Sequence, residues 1–359
     1  MLDLLTTNSI CHLTVAVYIR VLTRDVSTYL LHMSETLREM NSGWLLKADG
    51  SQFNSGVITD HSLPAREAFE TAGALFTVSK HPLFFKDAIG QEHESNGVGL
   101  VRQDTGRELG VVTANYEVVQ NDRLLEMAEA LRDEVSMETV VLIQHGAKVA
   151  FTAQIKGTNS DVVPGDTVGK RIVGYLGHDG KTGIGALFTT VRVVCSNTLA
   201  LATAKASDLK RLTHKGGANA DVTTLIESIN VARESFDQEV EGLKLLANTP
   251  MTNDLCREFL ERVFAKEIAG QIKKDKDAPA RDKTLEDLRI TKHIYRAVNN
   301  GLGHQYAPNT LYSAFNAVTE VLTSPLTGRG ESKLGSLWFG VNRNRVEAVR
   351  EIALELATA

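Results

Sequence analysis

The chain has 359 residues, 43% of them hydrophobic, which is ordinary for a globular protein and enough for a large core. Its formal charge of -5 excludes the global basic field that draws a protein onto nucleic acid, so any such site must be a local patch. Three cysteines, Cys11, Cys195 and Cys256, without CxxC spacing suggest neither a disulfide framework nor a zinc site and fit a reducing cytoplasm.

Residues 1–32 carry a short apolar run at Leu13–Ile19, broken by Arg20 and Arg24, well short of the roughly 20 residues of a membrane span. A signal peptide carries positive charge before its apolar run and a small-residue cleavage site after it, whereas here Asp3 leads and the arginines follow. Met33-Ser34-Glu35-Thr36 reads as an ordinary start, so residues 1–32 are expected to be an upstream extension from a misassigned start codon. Residues 33–96 form an irregular N-terminal region with one short helix at Ser62–Ala72, where Ser62 can cap and Pro64 sits in the first turn.

The pattern sharpens from Gly97. Val98–Arg102 and Leu109–Thr113 bound the turn Asp104-Thr105-Gly106 and read as a hairpin. Asn121 or Asp122 can then cap a helix bearing Leu124, Leu125, Ala128 and Leu131. Four extended runs follow. Thr139–Ile143 meets Lys148–Ile155 across Gln144–Ala147, and Thr167–Leu176 meets Ile184–Cys195 across His178–Lys181, each junction holding a glycine. Lys156–Asp166 is polar and aperiodic and reads as a loop. Tight turns join antiparallel neighbours, so these runs predict an antiparallel β-meander.

Residues 221–359 change period. A long amphipathic helix covers Val222–Ala247 and is stopped by Pro250. Shorter helices are expected at Asp254–Phe264, Leu285–Val298, Leu311–Leu322 and Val346–Leu356, with a solvated charged linker at Lys273–Lys283. The fold class is therefore α+β: residues 97–220 are an α+β core domain, an antiparallel meander flanked by helices, followed by a helical C-terminal region.

No catalytic, cofactor or metal site emerges. Cys195 shares a strand face with Leu187, Thr189, Val191 and Val193 and reads as a small buried hydrophobe, and Ser196-Asn197 as a cap for the helix after it. His178 beside Asp179 reads as a turn residue, because the histidines show neither HExxH nor ligand spacing with cysteine. Gly183-Ile184-Gly185 opens no helix, and Gly169-Lys170 lacks the flanking residues of a phosphate loop.

Arg192 falls in the row Ile184, Ala186, Phe188, Thr190 and Val194, where an unpaired guanidinium is costly. It either pairs with a carboxylate such as Glu117 or Glu126 or faces an anionic ligand. Lys205, Lys210, Arg211 and Lys215 follow as a local basic arm able to contact phosphates. A second basic stretch, Lys333, Arg343, Arg345 and Arg350, surrounds Trp338 and Phe339, which read better as core-edge anchors than as base-stacking groups.

Val191–Ala202, together with Leu109–Val112, Tyr116–Asn121, Ala314–Glu320 and Ser336–Gly340, resembles the phage/plasmid-like domain-of-unknown-function family number 932, over roughly residues 97–357. The resemblance implies a mobile-element setting and carries over no catalytic residues. The tryptophan-histidine-glycine entry motif common in such proteins is not found in the N-terminal part. The order helix, meander, helix is similar to the core of phage single-strand-annealing recombinases, which bind single-stranded DNA and oligomerise without a cofactor cycle. Expected from this are ATP-independent single-stranded-DNA binding or annealing, with Arg192, Lys205, Lys210, Arg211 and Lys215 as the contacts, and a homo-oligomer. The competing expectation is a non-enzymatic accessory factor that binds a host protein, such as an inhibitor of host defence. Both place the chain in the cytoplasm, away from the membrane.

Overall fold

The computed structural model describes residues 44–47, 56–57, 62–192, 210–212, 218–274, 285, 288–301, 304–323 and 341–359. Its centre is the meander β6 (Val135–Ile143), β7 (Lys148–Val163), β8 (Asp166–Gly177) and β9 (Ile184–Arg192), each antiparallel to the next. Two flanks extend it. β10 (Lys210–Leu212) adds antiparallel to β9, and β1 (Trp44–Lys47) adds parallel to β6 and carries β2 (Gly56–Val57), giving the order β10-β9-β8-β7-β6-β1-β2. A separate sheet holds β3 (Val78–Lys86), β4 (Glu92–Arg102) and β5 (Arg107–Thr113).

The meander strands read as near-continuous apolar runs because both faces of the sheet are covered. Leu142, Val149, Phe151, Ile172, Leu176, Ile184 and Phe188 pack with Phe69 of α1 (Ala65–Thr71) and Leu124, Leu125 and Ala128 of α2 (Asp122–Ala130). The alternate residues Val141, Ile143, Ala150, Val173, Tyr175 and Leu187 pack against the C-terminal helices. Those are α3 (Ala218–Asn248), α4 (Asn253–Val263), α5 (Ala265–Lys274), α6 (Arg289–Asn300), α7 (Leu311–Thr323) and α8 (Val341–Thr358). The fold is α+β, with α3–α8 gathered C-terminal to the meander and α1 and α2 before it. α3 joins both cores: Ile229 and Ala232 enter the first, and Phe236, Val240 and Leu246 the second.

The structure corrects several expectations. Lys156–Asp166 is no loop: β7 runs on to Val163, and β8 starts at Asp166 after a turn at Pro164-Gly165, where Gly165 has φ +85°. Its polar composition follows from a register shift between Gln154 and Asn159, past which β7 alternates buried and exposed residues. Residues 78–96, expected to be irregular, hold β3 and much of β4. Neither Ser62 nor Asn121 caps a helix: Ser62 donates its hydroxyl to the Met137 carbonyl, and Asn121 bonds Phe76 and His178. Thr252, by contrast, caps α4 through Leu255 N.

Two neighbouring cations on β8 are buried. Lys170, 2% exposed, reaches Glu239 of α3 at 2.7 Å, and the Thr190 hydroxyl donates to the same carboxylate. Arg171 reaches Glu138 of β6 at 2.7 Å. Burial pushes the Glu138 carboxyl up against the opposing pull of Arg171. Successive residues of a strand face opposite ways, so a one-residue slip of β8 would strand both charges without partners. Lys170→Met alone should cost about 3 kcal/mol in urea unfolding, because it leaves the partly buried Glu239 without its cation. Lys170→Met with Glu239→Leu should recover most of that loss. Equal stability of the single and double variants would contradict the pairing.

Candidate nucleic-acid interface

Of the residues singled out from the sequence, Arg192, Lys210 and Arg211 lie on the last two strands at one side of the large sheet. Arg192 ends β9 opposite Val168, while Lys210 and Arg211 of β10 pair with Ala186 and Gly185 of β9. Arg192 and Lys210 are thus separated by six residues of β9, about 20 Å at a strand's rise of ~3.3 Å per residue. β10 is the terminal strand of the sheet, so its backbone forms an edge carrying two basic residues. Lys205, Lys215, Cys195, Asn197, Trp338 and Phe339 lie outside the described residues. Glu126, a suggested partner of Arg192, pairs with Arg123.

The polar groups nearest the meander's turns do not form a reaction centre. His178 is 1% exposed at the end of β8, its ring edge-on to Phe76. Burial pushes its pKa down to about 4, against the pull of Asp179. The neutral ring donates from Nε2 to Asn121 Oδ1, and Asn121 Nδ2 donates to the Phe76 carbonyl. Asp179 accepts from Lys181 N, Thr182 N and the Thr182 hydroxyl, and pairs with Lys148 at 2.8 Å. Those donors hold its carboxyl below the usual range although burial works the other way. Each of these polar atoms is committed to closing a turn or joining the two sheets. His178 opens the turn between β8 and β9, where its sequence position put it, and is in addition a buried joint. Cys256, half-buried on α4, has its thiol pushed up by burial, away from a reactive thiolate. Among the described residues no group of three or more histidine, cysteine, aspartate or glutamate side chains converges to hold a metal ion.

A basic face not anticipated from the sequence lies on α6. The helix docks through Ile294 and Thr291, both 1% exposed, with Ile290, Ala297 and Val298 packed beside them. At 100° per residue, the opposite arc carries Tyr295, Asn299, Lys292, Arg296, Arg289, Asn300 and His293. No aspartate or glutamate occurs in 289–300. Arg289, Lys292 and Arg296 are exposed, and Tyr295 is 44% exposed beside them. Among the described residues none of these three cations makes an ion pair, whereas Arg66, Arg102, Arg123, Arg233, Arg262 and Arg345 each face a carboxylate. The signal was present in the i, i+3, i+7 spacing of the bases, but the apolar period that identifies a helix does not report on its outer face.

The matched family agrees with the resemblance drawn from the residues. The family model described as Domain of unknown function (DUF932) covers residues 108–338. The chain belongs to that family. The DUF932 match spans β5, the whole meander, α3 and α6, and ends beyond α7. No curated protein and no solved structure matches the chain. No helix among the described residues is long and apolar enough to cross a membrane.

The His178 joint has a pH signature. Its folded pKa lies below the ordinary 6.5, so the unfolded chain takes up the proton first as pH falls. Its contribution is complete above pH 6.5 and is lost between there and about 4, amounting to about 3 kcal/mol at ~1.4 kcal/mol per unit. Urea unfolding across that window should show His178→Gln losing less stability with acidification than the parent chain. Parallel pH profiles would contradict a buried neutral imidazole.

Proposed function

We propose that this DUF932 protein binds single-stranded DNA without nucleotide hydrolysis, as an annealing or strand-protecting component of a phage or plasmid. The observation that carries the reading is the exposed α6 face, where Arg289, Lys292 and Arg296 stand beside Tyr295 with no acidic residue between them. The cations stand about 4.5 and 6 Å apart along the axis, at ~1.5 Å per residue, close enough to follow one strand's phosphates. The tyrosine offers the stacking surface that unpaired bases, and not duplex, can use. Lys210 and Arg211 on the edge strand β10 supply a second basic segment. A net charge of -5 makes binding local, so it depends on few contacts and weakens with salt. The mobile-element setting is supported by the sequence resemblance.

Fluorescence anisotropy with a labelled oligothymidine, repeated over salt concentration, tests this. Three phosphate contacts give a slope of about -2 in log K against log salt, at ~0.7 per contact on single strands. The triple change Arg289→Ala, Lys292→Ala, Arg296→Ala should flatten that slope and weaken binding at least tenfold. Tyr295→Ala should cost about 1–3 kcal/mol at unchanged slope. No binding by the parent chain at low salt ends the proposal, and loss only on changing Lys210 and Arg211 moves the site to the sheet edge.

A further inference from the structure

Negative charge is unevenly spread along the chain. Residues 62–134 hold 13 aspartates and glutamates against 7 lysines and arginines, although the whole chain stands at only -5. The arm formed by β3 and β4 belongs to this acidic part: its tip, held in shape by Asp87 accepting from Ile89 N, Gln91 N and His93 Nε2, carries Glu92 and Glu94 near the exposed Phe84 and Phe85. At the root of β3 the surface is concave. An open groove of about 570 Å³ runs between the end of α1 and the β4–β5 turn, with Leu75 and Phe76 at its floor and Glu70, Gln103 and Asp104 on its rim. Asp104 is occupied, its two oxygens held by the Arg102 guanidinium, which sits 4.0 Å from the centroid of the Phe76 ring. Glu70 is not. It is exposed, makes no ion pair among the described residues, and stands in the last turn of α1, which has no basic residue there. The C-terminal end of a helix dipole is negative, so a carboxylate at this position is disfavoured until a cation from outside meets it.

The chain carries the matching surface on α6, where Lys292 and Arg296 flank the exposed Tyr295 and likewise make no ion pair among the described residues. The two surfaces do not meet within one molecule. Phe76 and α1 belong to the core on one face of the large sheet and Ile294 of α6 to the core on the other, so groove and helix lie on opposite sides of a closed layer. We propose that the α6 face of one copy docks in the α1-end groove of a second copy. Tyr295 covers Leu75 and Phe76 while Lys292 or Arg296 meets Glu70, as an amphipathic helix lays one face into a groove. The contact joins two different surfaces, so every bound pair leaves one groove and one α6 face free, and assembly propagates into a ring or a filament. It also takes up the face assigned to single-stranded DNA, so strand and assembly compete. That consequence, unlike the docking, rests on the DNA-binding reading.

Light scattering coupled to size exclusion on the full chain without DNA, read across protein concentration, tests the docking by complementation. The groove variant Glu70→Lys, Thr77→Arg and the helix variant Lys292→Glu, Tyr295→Ser, Arg296→Glu change exposed positions, and circular dichroism checks that each folds. The parent chain should assemble beyond a dimer, and less so as salt rises. Each variant alone should be monomeric with association weakened at least tenfold, and their equimolar mixture should stop at a heterodimer, because one intact groove and one intact α6 face remain. Glu70→Lys alone should lose assembly with its urea midpoint unchanged or raised, since a lysine suits the end of α1, which keeps the test open if a multiple variant misfolds. A monomeric parent chain overturns the proposal, as does an oligomer that either variant retains. Added oligothymidine should dissolve the parent assembly, and an assembly that binds it and stays intact also overturns the shared face. If oligothymidine does not bind, the DNA reading fails and the mixing result still decides the docking.

Discussion

Lys170 and Arg171 carry two adjacent positive charges into the interior of β8, and each is met by a carboxylate on a different element, Glu239 on α3 and Glu138 on β6. A buried charge without a partner costs far more than a misplaced apolar group, so these pairs dictate register in a way that the interchangeable valines and isoleucines around them do not. The Lys170 pair ties the long helix to the sheet. The Tyr312 hydroxyl, donating to buried Asp166 at 2.9 Å, ties the helical layer to the start of the same strand. With β8 fixed, its neighbours β7 and β9 are fixed, and the sheet presents one apolar face to α1 and α2 and the other to the C-terminal helices.

Covering both faces has a functional consequence. The middle of the sheet is closed to ligands, and the polar groups near its turns are used up: Asp179 with Thr182 and Lys148 in closing the β8–β9 turn, and His178 with Asn121 in holding the start of α2. Among the described residues, what remains available is peripheral: the outer arc of α6, the edge strand β10 and the arm of β3 and β4. These three differ in chemistry. One is basic with an aromatic, one is a basic backbone edge, and one is apolar and rigid, which suits them to a polyanion in the first two cases and to protein in the third.

The meander was legible because its strands are apolar and its junctions carry glycines with the positive φ that such turns need, Gly146 at +102° and Gly180 at +71°. Helices α3, α4, α6, α7 and α8 were legible from their apolar period, whereas α5 was not. The distal part of β7, residues 156–163, was not, since a strand leaving the core sheds its apolar residues. The arm was illegible for a related reason: with both faces in solvent, β3 shows no alternation, and Pro82 at an edge strand reads as a breaker. The buried cations were available in principle, because Lys170-Arg171 inside the run Val168–Leu176 demands partners. Arg192 is the other cation in an apolar strand of the sequence. The α6 face was missed because a helix is recognised by what it buries.

Hydrogen exchange of the full chain with and without oligothymidine at low salt tests the central claim, that the closed sheet leaves ligand binding to the periphery. The account predicts added protection over 289–300, a smaller effect at 210–212, and unchanged exchange in β6 to β9. Protection concentrated in the meander strands, with α6 unaffected, would contradict it.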